Sequence, residues 1–266
     1  MEATQHTLSR RGRRGRVALK RFMYSQLALR SAVMIALGKE QPLVRFTVEQ
    51  DPPSVYLVFP IRPEVVDGLP ERLGLPPGMA LAPIRCLAGD EPRHLLALNV
   101  YRVSGITNGR RAEWSVFVAE PDGTPRYLVI DARSSSRSMD PVDLFTKASR
   151  VDHRRDGDVI STTIGGKGRA FEATVDLGAA APAVNDPQWV TANDRIYWGN
   201  GVRDRTFYDA GLADPAMVSV PPADVTVADA SEWADLIEPV PVAVLMFIQA
   251  IEFVVSPWEN IDDVEV

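Results

Sequence analysis

The chain has 266 residues, 45% of them hydrophobic, and a formal net charge of −6. That is enough apolar material for a folded body, and it excludes a disordered tail-like protein. Cys86 is the one cysteine, so no internal disulfide can form, and a reducing, cytoplasmic setting is expected. The three histidines, His6, His94 and His153, lie far apart without ligand spacing, so a His-based metal site is not expected.

The charge is divided unevenly. Residues 1–30 carry eight basic side chains and one acid, Glu2. The remainder holds 21 of the 29 basic residues and 34 of the 35 acidic ones, a net charge of −13. An acidic body argues against nucleic acid as a ligand, because phosphate neutralisation needs a basic surface. The first segment, residues 1–40, reads as a basic extension leading into a helix over about residues 17–37, ended by Gly38. Ser9-Arg10-Arg11 hints at an export signal, but Lys20, Arg21 and Arg30 interrupt the apolar run that should follow. The segment is expected to pack on the body or on a neighbouring subunit. The alternative is contact of residues 10–37 with a membrane surface or a partner.

Residues 41–266 read as one strand-rich domain. Residues 43–50, LVRFTVEQ, and 54–63, SVYLVFPIRP, are short β-rich runs separated by Asp51-Pro52-Pro53. Residues 63–79 look like a short helix between prolines. Residues 94–105, HLLALNVYRVSG, form a strand. Residues 112–132 form two more around a turn at Asp122-Gly123. Around Lys147, alternation sets Phe145, Lys147, Ser149 and Val151 on one face of a strand, so the lysine either reaches out to water or is buried to do chemistry. Residues 157–178 form a hairpin. Its Gly165-Gly166-Lys167-Gly168 cluster joins two strands and lacks the ending of a phosphate loop. Residues 179–222 read as long loops with isolated strands such as DRIYWGN. Residues 223–231 form a strand. The most apolar run, 240–256, reads as a strand leading into a short helix. The body is therefore mainly β with a few short helices (α+β), an antiparallel sandwich or closed barrel.

Residues 145–178, FTKASRVDHRRDGDVISTTIGGKGRAFEATVDLG, resemble the core of the acetoacetate decarboxylase family. There a Phe/Tyr-Pro-Lys-Lys motif precedes an acidic turn and a β-hairpin. Residues 56–77 resemble its early strand and short helix, and 110–118, RRAEWSVFV, its Tyr-x-Glu strand. Residues 223–227 and 239–255 resemble its last elements. The resemblance runs over about residues 44–260. It implies a closed β-barrel body, no cofactor, assembly as a homo-oligomer, and a small keto acid or ketone as substrate. It also places Lys147 on the Schiff-base lysine, Glu113 on the acid of the Tyr-x-Glu strand, and Arg62 on the arginine facing the substrate carboxylate.

The chain departs from that pattern. Ala148 stands where the second lysine would be, Thr146 where the proline would be, and Arg111 at the tyrosine position. A second glutamate is replaced near Leu98 or Asn99. A lysine amine is mostly protonated at pH 7, and burial or a nearby cation lowers its pKa; acetoacetate decarboxylase is the standing example. Ala148 removes the adjacent cation. The expected activity is lyase chemistry through a lysine imine: decarboxylation, or related aldol or dehydratase chemistry. The alternative is a non-enzymatic protein of the same fold that binds a small acid or serves in an assembly.

Overall fold

The structure is a computed structural model, and it describes residues 44–75, 79–105, 109–135, 150–166, 169–198, 206–209, 216–255 and 259–260. Both the helix expected over residues 17–37 and Lys147 lie outside the described residues.

The sheet begins with two short strands laid end to end. β1 (Val44–Val48) and β2 (Val55–Pro60) both pair with β4 (Leu95–Gly105), at its last and first residues respectively. β2 is buried along its whole length. Its run of apolar residues, without alternation, is what a strand covered on both faces requires. Between β2 and β4 lie the helices α1 (Pro63–Val66) and α2 (Leu69–Leu73) and the short strand β3 (Ala80–Leu81). Gly74, at φ 55°, ends α2 in the left-handed conformation that glycine adopts without strain.

β4, β5 (Gly109–Ala119) and β6 (Pro125–Ser134) form a long antiparallel meander. The turn between β5 and β6 is the one expected at Asp122-Gly123. Gly123 takes φ 85°, and the Asp122 carboxylate accepts from the Thr124 amide at 2.9 Å.

β7 (Arg150–Asp156), β8 (Val159–Gly166), β9 (Arg169–Asp176) and β14 (Val225–Asp229) make a separate sheet in the order β14-β9-β8-β7. The β8–β9 hairpin pairs out to Gly166↔Arg169, as the glycine cluster implied. Ile160, Ile164, Phe171 and Val175 of this sheet share one buried cluster with Leu57, Phe59, Leu96, Leu98, Trp114 and Val116 of the large sheet. The two sheets therefore stack face to face.

The remaining strands extend the large sheet. They are β10 (Ala181–Ala183), β11 (Arg195–Trp198), β12 (Thr206–Asp209), β13 (Met217–Ser219), β15 (Ala243–Phe247), β16 (Ile251–Val255) and β17 (Glu259–Asn260). The path runs β10-β13-β15-β2-β4-β5-β6-β11-β12-β17. Thirteen strands belong to this sheet, and among the described residues its two ends do not pair, so closure into the expected barrel is not seen there. β11 is also parallel to β6, within a body expected to be antiparallel. That pairing needs a long crossover, which the four-stranded sheet and α3 (Pro187–Asp194) supply.

Two local expectations are corrected. Residues 179–222 contain α3. Asp186 caps it by accepting from the Gln188 amide at 2.9 Å, with Pro187 in the first turn. Among its described residues, 240–255, the run 240–256 holds no helix. It breaks at residues 248–250 into β15, which pairs with β2, and β16, which pairs with β1. This break matches the one between β1 and β2, so both strand pairs turn together along β4.

Candidate functional site

The second face of the large sheet is apolar at one end and polar at the other. Tyr56, Phe117, Tyr127, Trp189 and Phe247 meet there in ring contacts, edge-on except for the tilted Phe117–Trp189 pair. They are joined by Val58, Ala97, Val129 and Leu245. Further along the same strands, alternation brings Asn99 and Tyr101 of β4 beside Glu113 and Arg111 of β5. The register pairs Asn99 with Glu113 and Tyr101 with Arg111.

Glu113 is the centre of this group. Arg111 and Glu113 stand two apart on one strand, hence on the same face, and the Arg111 Nε donates to Glu113 Oε1. The Tyr101 hydroxyl donates to the same oxygen at 2.8 Å. From β6, Ser134 Oγ accepts from Arg111 at 3.3 Å. Both hydrogen bonds on the carboxylate fall on Oε1, and among the described residues none falls on Oε2. The Arg111 and Glu113 side chains are 2% and 7% exposed, so the ion pair is removed from water. Beside it, Ser54 donates to Asn99 Oδ1 at 2.9 Å, and both residues are buried. One pleat along β5, Ser115 is completely buried and its hydroxyl has no hydrogen-bond partner among the described residues.

A β-bulge decides which β6 residues join this row. The register shifts between Trp114↔Asp131 and Ser115↔Val129, so Ile130 is the extra residue. Simple alternation from Val129 would put Asp131 and Arg133 beside Glu113. The bulge sends them to the opposite face. There Arg133 bonds Asp131 at 2.7 Å, Trp233 Nε1 donates to Asp131 at 3.3 Å, and the Arg133 guanidinium lies over the Trp114 ring. Ala132 and Ser134 take the places next to Glu113. Two charges are thereby kept away from the Arg111–Glu113 pair.

The predicted site residues are therefore placed unequally. Glu113 lies on the second face of the large sheet with a defined set of partners. Arg62 does not join it. It is half-buried, six residues along from Tyr56, about 20 Å at the rise of an extended strand. Its Nε donates to the Ile237 carbonyl at 2.8 Å, and its amide donates to the Leu236 carbonyl at 2.8 Å. That pattern ties the residues around 236 to the end of β2. Lys147 falls on residues that are not described. Arg111 and Tyr101 were missed as members of the site. The signal for Arg111 was its i, i+2 spacing to Glu113; Tyr101 becomes visible only with the β4–β5 register.

At the Arg62 end of β4, a cleft of about 210 Å³ is lined by Cys86, Asp90, Glu91, Arg93, Leu95 and others. Burial pushes the Cys86 thiol well above its ordinary range, and Asp90 and Asp186 add to the shift. It is a packed thiol and not a nucleophile at neutral pH.

A mainly β body of two stacked sheets, with a buried carboxylate on the face of the larger one turned away from the smaller, is the class of structure defined so far. No family model matches the chain, and no curated protein matches it in sequence. Among solved structures it is similar to an acetoacetate decarboxylase-like enzyme from Sphingomonas wittichii RW1. The TM-score is 0.53 over 82% of this chain and 91% of that one, at 10% sequence identity. The two proteins share a fold. Among the described residues, no helix is long and apolar enough to cross a membrane.

Proposed function

We propose that this protein is an acetoacetate decarboxylase-like enzyme in which Lys147 forms an imine with a small keto acid or ketone. Water leaves as the imine forms, and the protonated imine accepts the electron pair released when a bond to the neighbouring carbon breaks. Glu113 moves protons at that carbon. The shared fold supports the class, and one observation carries the site: the arrangement around Glu113, with two donors on Oε1 and none of the described donors on Oε2. A buried ion pair is a poor stabiliser, because removing each ion from water costs several kcal/mol that the attraction barely offsets. An apolar pair of equal volume would serve stability as well. A buried Arg111–Glu113 pair at this place therefore favours a working role.

The cation missing at Ala148 bears on this reading. A lone carboxylate beside a lysine holds the amine protonated. Paired with Arg111, Glu113 carries little net charge, so that effect is muted. The same pairing favours a second reading, a non-enzymatic small-acid-binding protein in which Glu113 is permanently engaged. Borohydride reduction in the presence of a panel of β-keto acids and ketones, followed by peptide mass mapping, separates the two. The enzyme reading expects a stable adduct on Lys147 that is lost in Lys147→Ala. No adduct with any compound would leave the second reading standing.

A further inference from the structure

We propose that the cleft at the Leu95 end of β4 binds a free α-amino acid with a branched apolar side chain, of the size of leucine. The cleft lies apart from the Glu113 group: Leu95 stands four residues before Asn99 on β4, about 13 Å at the rise of a strand. Binding there is independent of the imine chemistry.

Two extended segments and the turn between them build the cleft. Arg93 and Ile84 face each other across an antiparallel bridge and exchange both backbone hydrogen bonds, at 3.0 and 2.9 Å. Side chains directly opposite share a face, and so do residues two apart. Ile84 and Cys86 of one segment and Glu91, Arg93 and Leu95 of the other therefore line the same cleft, and Val242 completes it. The turn is held by its own bonds. The Leu87 amide donates to Asp90 Oδ2 at 3.2 Å, the Asp90 amide to the Leu87 carbonyl at 3.1 Å, and Arg85 Nε to the Asp90 carbonyl at 2.9 Å. Gly89, at φ 91°, supplies the positive φ that the turn needs. The walls are thus set before a ligand arrives, which lowers the cost of binding.

The charges of the cleft are only partly used within it. Asp90 is committed to the Leu87 amide. Glu91 and Arg93, two apart on one face, do not pair with each other, and among the described residues neither side chain has a hydrogen-bond or ion-pair partner. Each is exposed and alone would be an ordinary solvated side chain. Here they stand beside an apolar floor of Ile84, Cys86, Leu95 and Val242. A free α-amino acid carries a carboxylate and an ammonium on one carbon. Arg93 offers a two-pronged donor to the carboxylate, and Glu91 accepts from the ammonium. A carboxylate without the ammonium would meet the two acids Asp90 and Glu91 as well as Arg93. An amine without the carboxylate would leave Arg93 unused. The end of a peptide chain carries only one of the two charges on its terminal α-carbon, so the pairing selects the free amino acid. The cleft volume of about 210 Å³ holds roughly seven waters, or a molecule of about seven to nine non-hydrogen atoms, which is the size of leucine. Its branched side chain would remove the apolar floor from water.

Calorimetry and ligand-observed saturation-transfer NMR on the full chain test this with leucine, leucinamide, N-acetyl-leucine and glycine. Leucinamide keeps the ammonium, N-acetyl-leucine keeps the carboxylate, and glycine keeps both charges without the side chain. Leucine is expected to bind, and each of the other three to bind about tenfold more weakly. Arg93→Gln should weaken leucine about tenfold and leave leucinamide unchanged. Glu91→Gln should weaken leucine and leave N-acetyl-leucine unchanged. Val242→Trp, which fills the mouth of the cleft, should abolish binding. All three positions are exposed, and the ligand series on wild type decides by itself should a variant fail to fold. No binding of leucine to wild type would overturn the proposal. Leucinamide or N-acetyl-leucine binding as well as leucine would overturn it in favour of a peptide end. Leucine binding that survives all three substitutions would place the ligand elsewhere and overturn it too. None of these results depends on whether Lys147 forms an adduct, so the two readings fail separately.

Discussion

The side chains of β5 on the Glu113 face differ sharply in how well they are satisfied. Arg111 and Glu113 bond each other, whereas Ser115, the next residue on that face, is completely buried with a hydroxyl that has no partner among the described residues. A buried hydroxyl without a hydrogen bond costs about 1–3 kcal/mol. Replacing it removes that cost and leaves only a small void, flanked by Ala97 of β4 and Val129 of β6. Ser115→Ala is therefore expected to stabilise the fold by about 1 kcal/mol, read as a higher denaturant midpoint at unchanged slope. A loss of stability would show that the hydroxyl is engaged after all. At this scale, Glu113 and Arg111 could be placed on one face from spacing alone. Arg62 could not be placed: whether an arginine after a strand faces a ligand or holds a loop depends on where residues 236 and 237 pass, 175 positions away from Arg62 in the case of its Ile237 bond.

Elements were legible where their signals are local. The β5–β6 turn follows from Asp122-Gly123, and the β8–β9 hairpin from its glycines, because turn chemistry is contained in a few residues. The bulge at Ile130 was not legible, since nothing in residues 125–134 distinguishes a bulged strand from a regular one without its partner. The break at residues 248–250 was missed for a related reason: an apolar run of this length fits a helix as well as two strands on different partners. α3 did carry a signal, Asp186 followed by Pro187, hidden among the prolines of a region that reads as loop. That cap is testable. Asp186 is buried, and its carboxylate satisfies one of the free amides of the first turn. Asp186→Ala should lower stability by about 1 kcal/mol, or about 2–4 °C in melting temperature for a chain of this size. Asp186→Asn, which still caps, should recover most of it. Equal losses in both variants would mean that the cost comes from packing near Trp189 and not from the cap.

The whole molecule depends on how the four-stranded sheet docks on the large one, and one histidine joins them. His153 of β7 is fully buried. Its Nε2 lies 2.8 Å from the Pro53 carbonyl, in the break between β1 and β2, and its Nδ1 lies 2.8 Å from Thr162 Oγ1 of β8. A carbonyl only accepts, so Nε2 carries the proton, and in the neutral ring Nδ1 accepts from the Thr162 hydroxyl. Burial is the main reason that the His153 pKa falls from 6.5 to about 4. The Pro53 carbonyl and Asp152 oppose the shift, and Arg110 reinforces it. Because the folded value lies below the unfolded one, the unfolded chain binds the extra proton first. The contribution is fully present above about pH 6.5 and is lost as the pH falls towards 4, roughly 3 kcal/mol over that window. Denaturant titrations across pH 7 to 4 should show this loss in wild type. In His153→Gln, which keeps a donor and an acceptor but no titration, stability should start lower at pH 7 and change less over the window. If the two proteins lose stability in parallel, the acid sensitivity belongs to the carboxylates, and His153 joins the sheets without making their docking depend on pH.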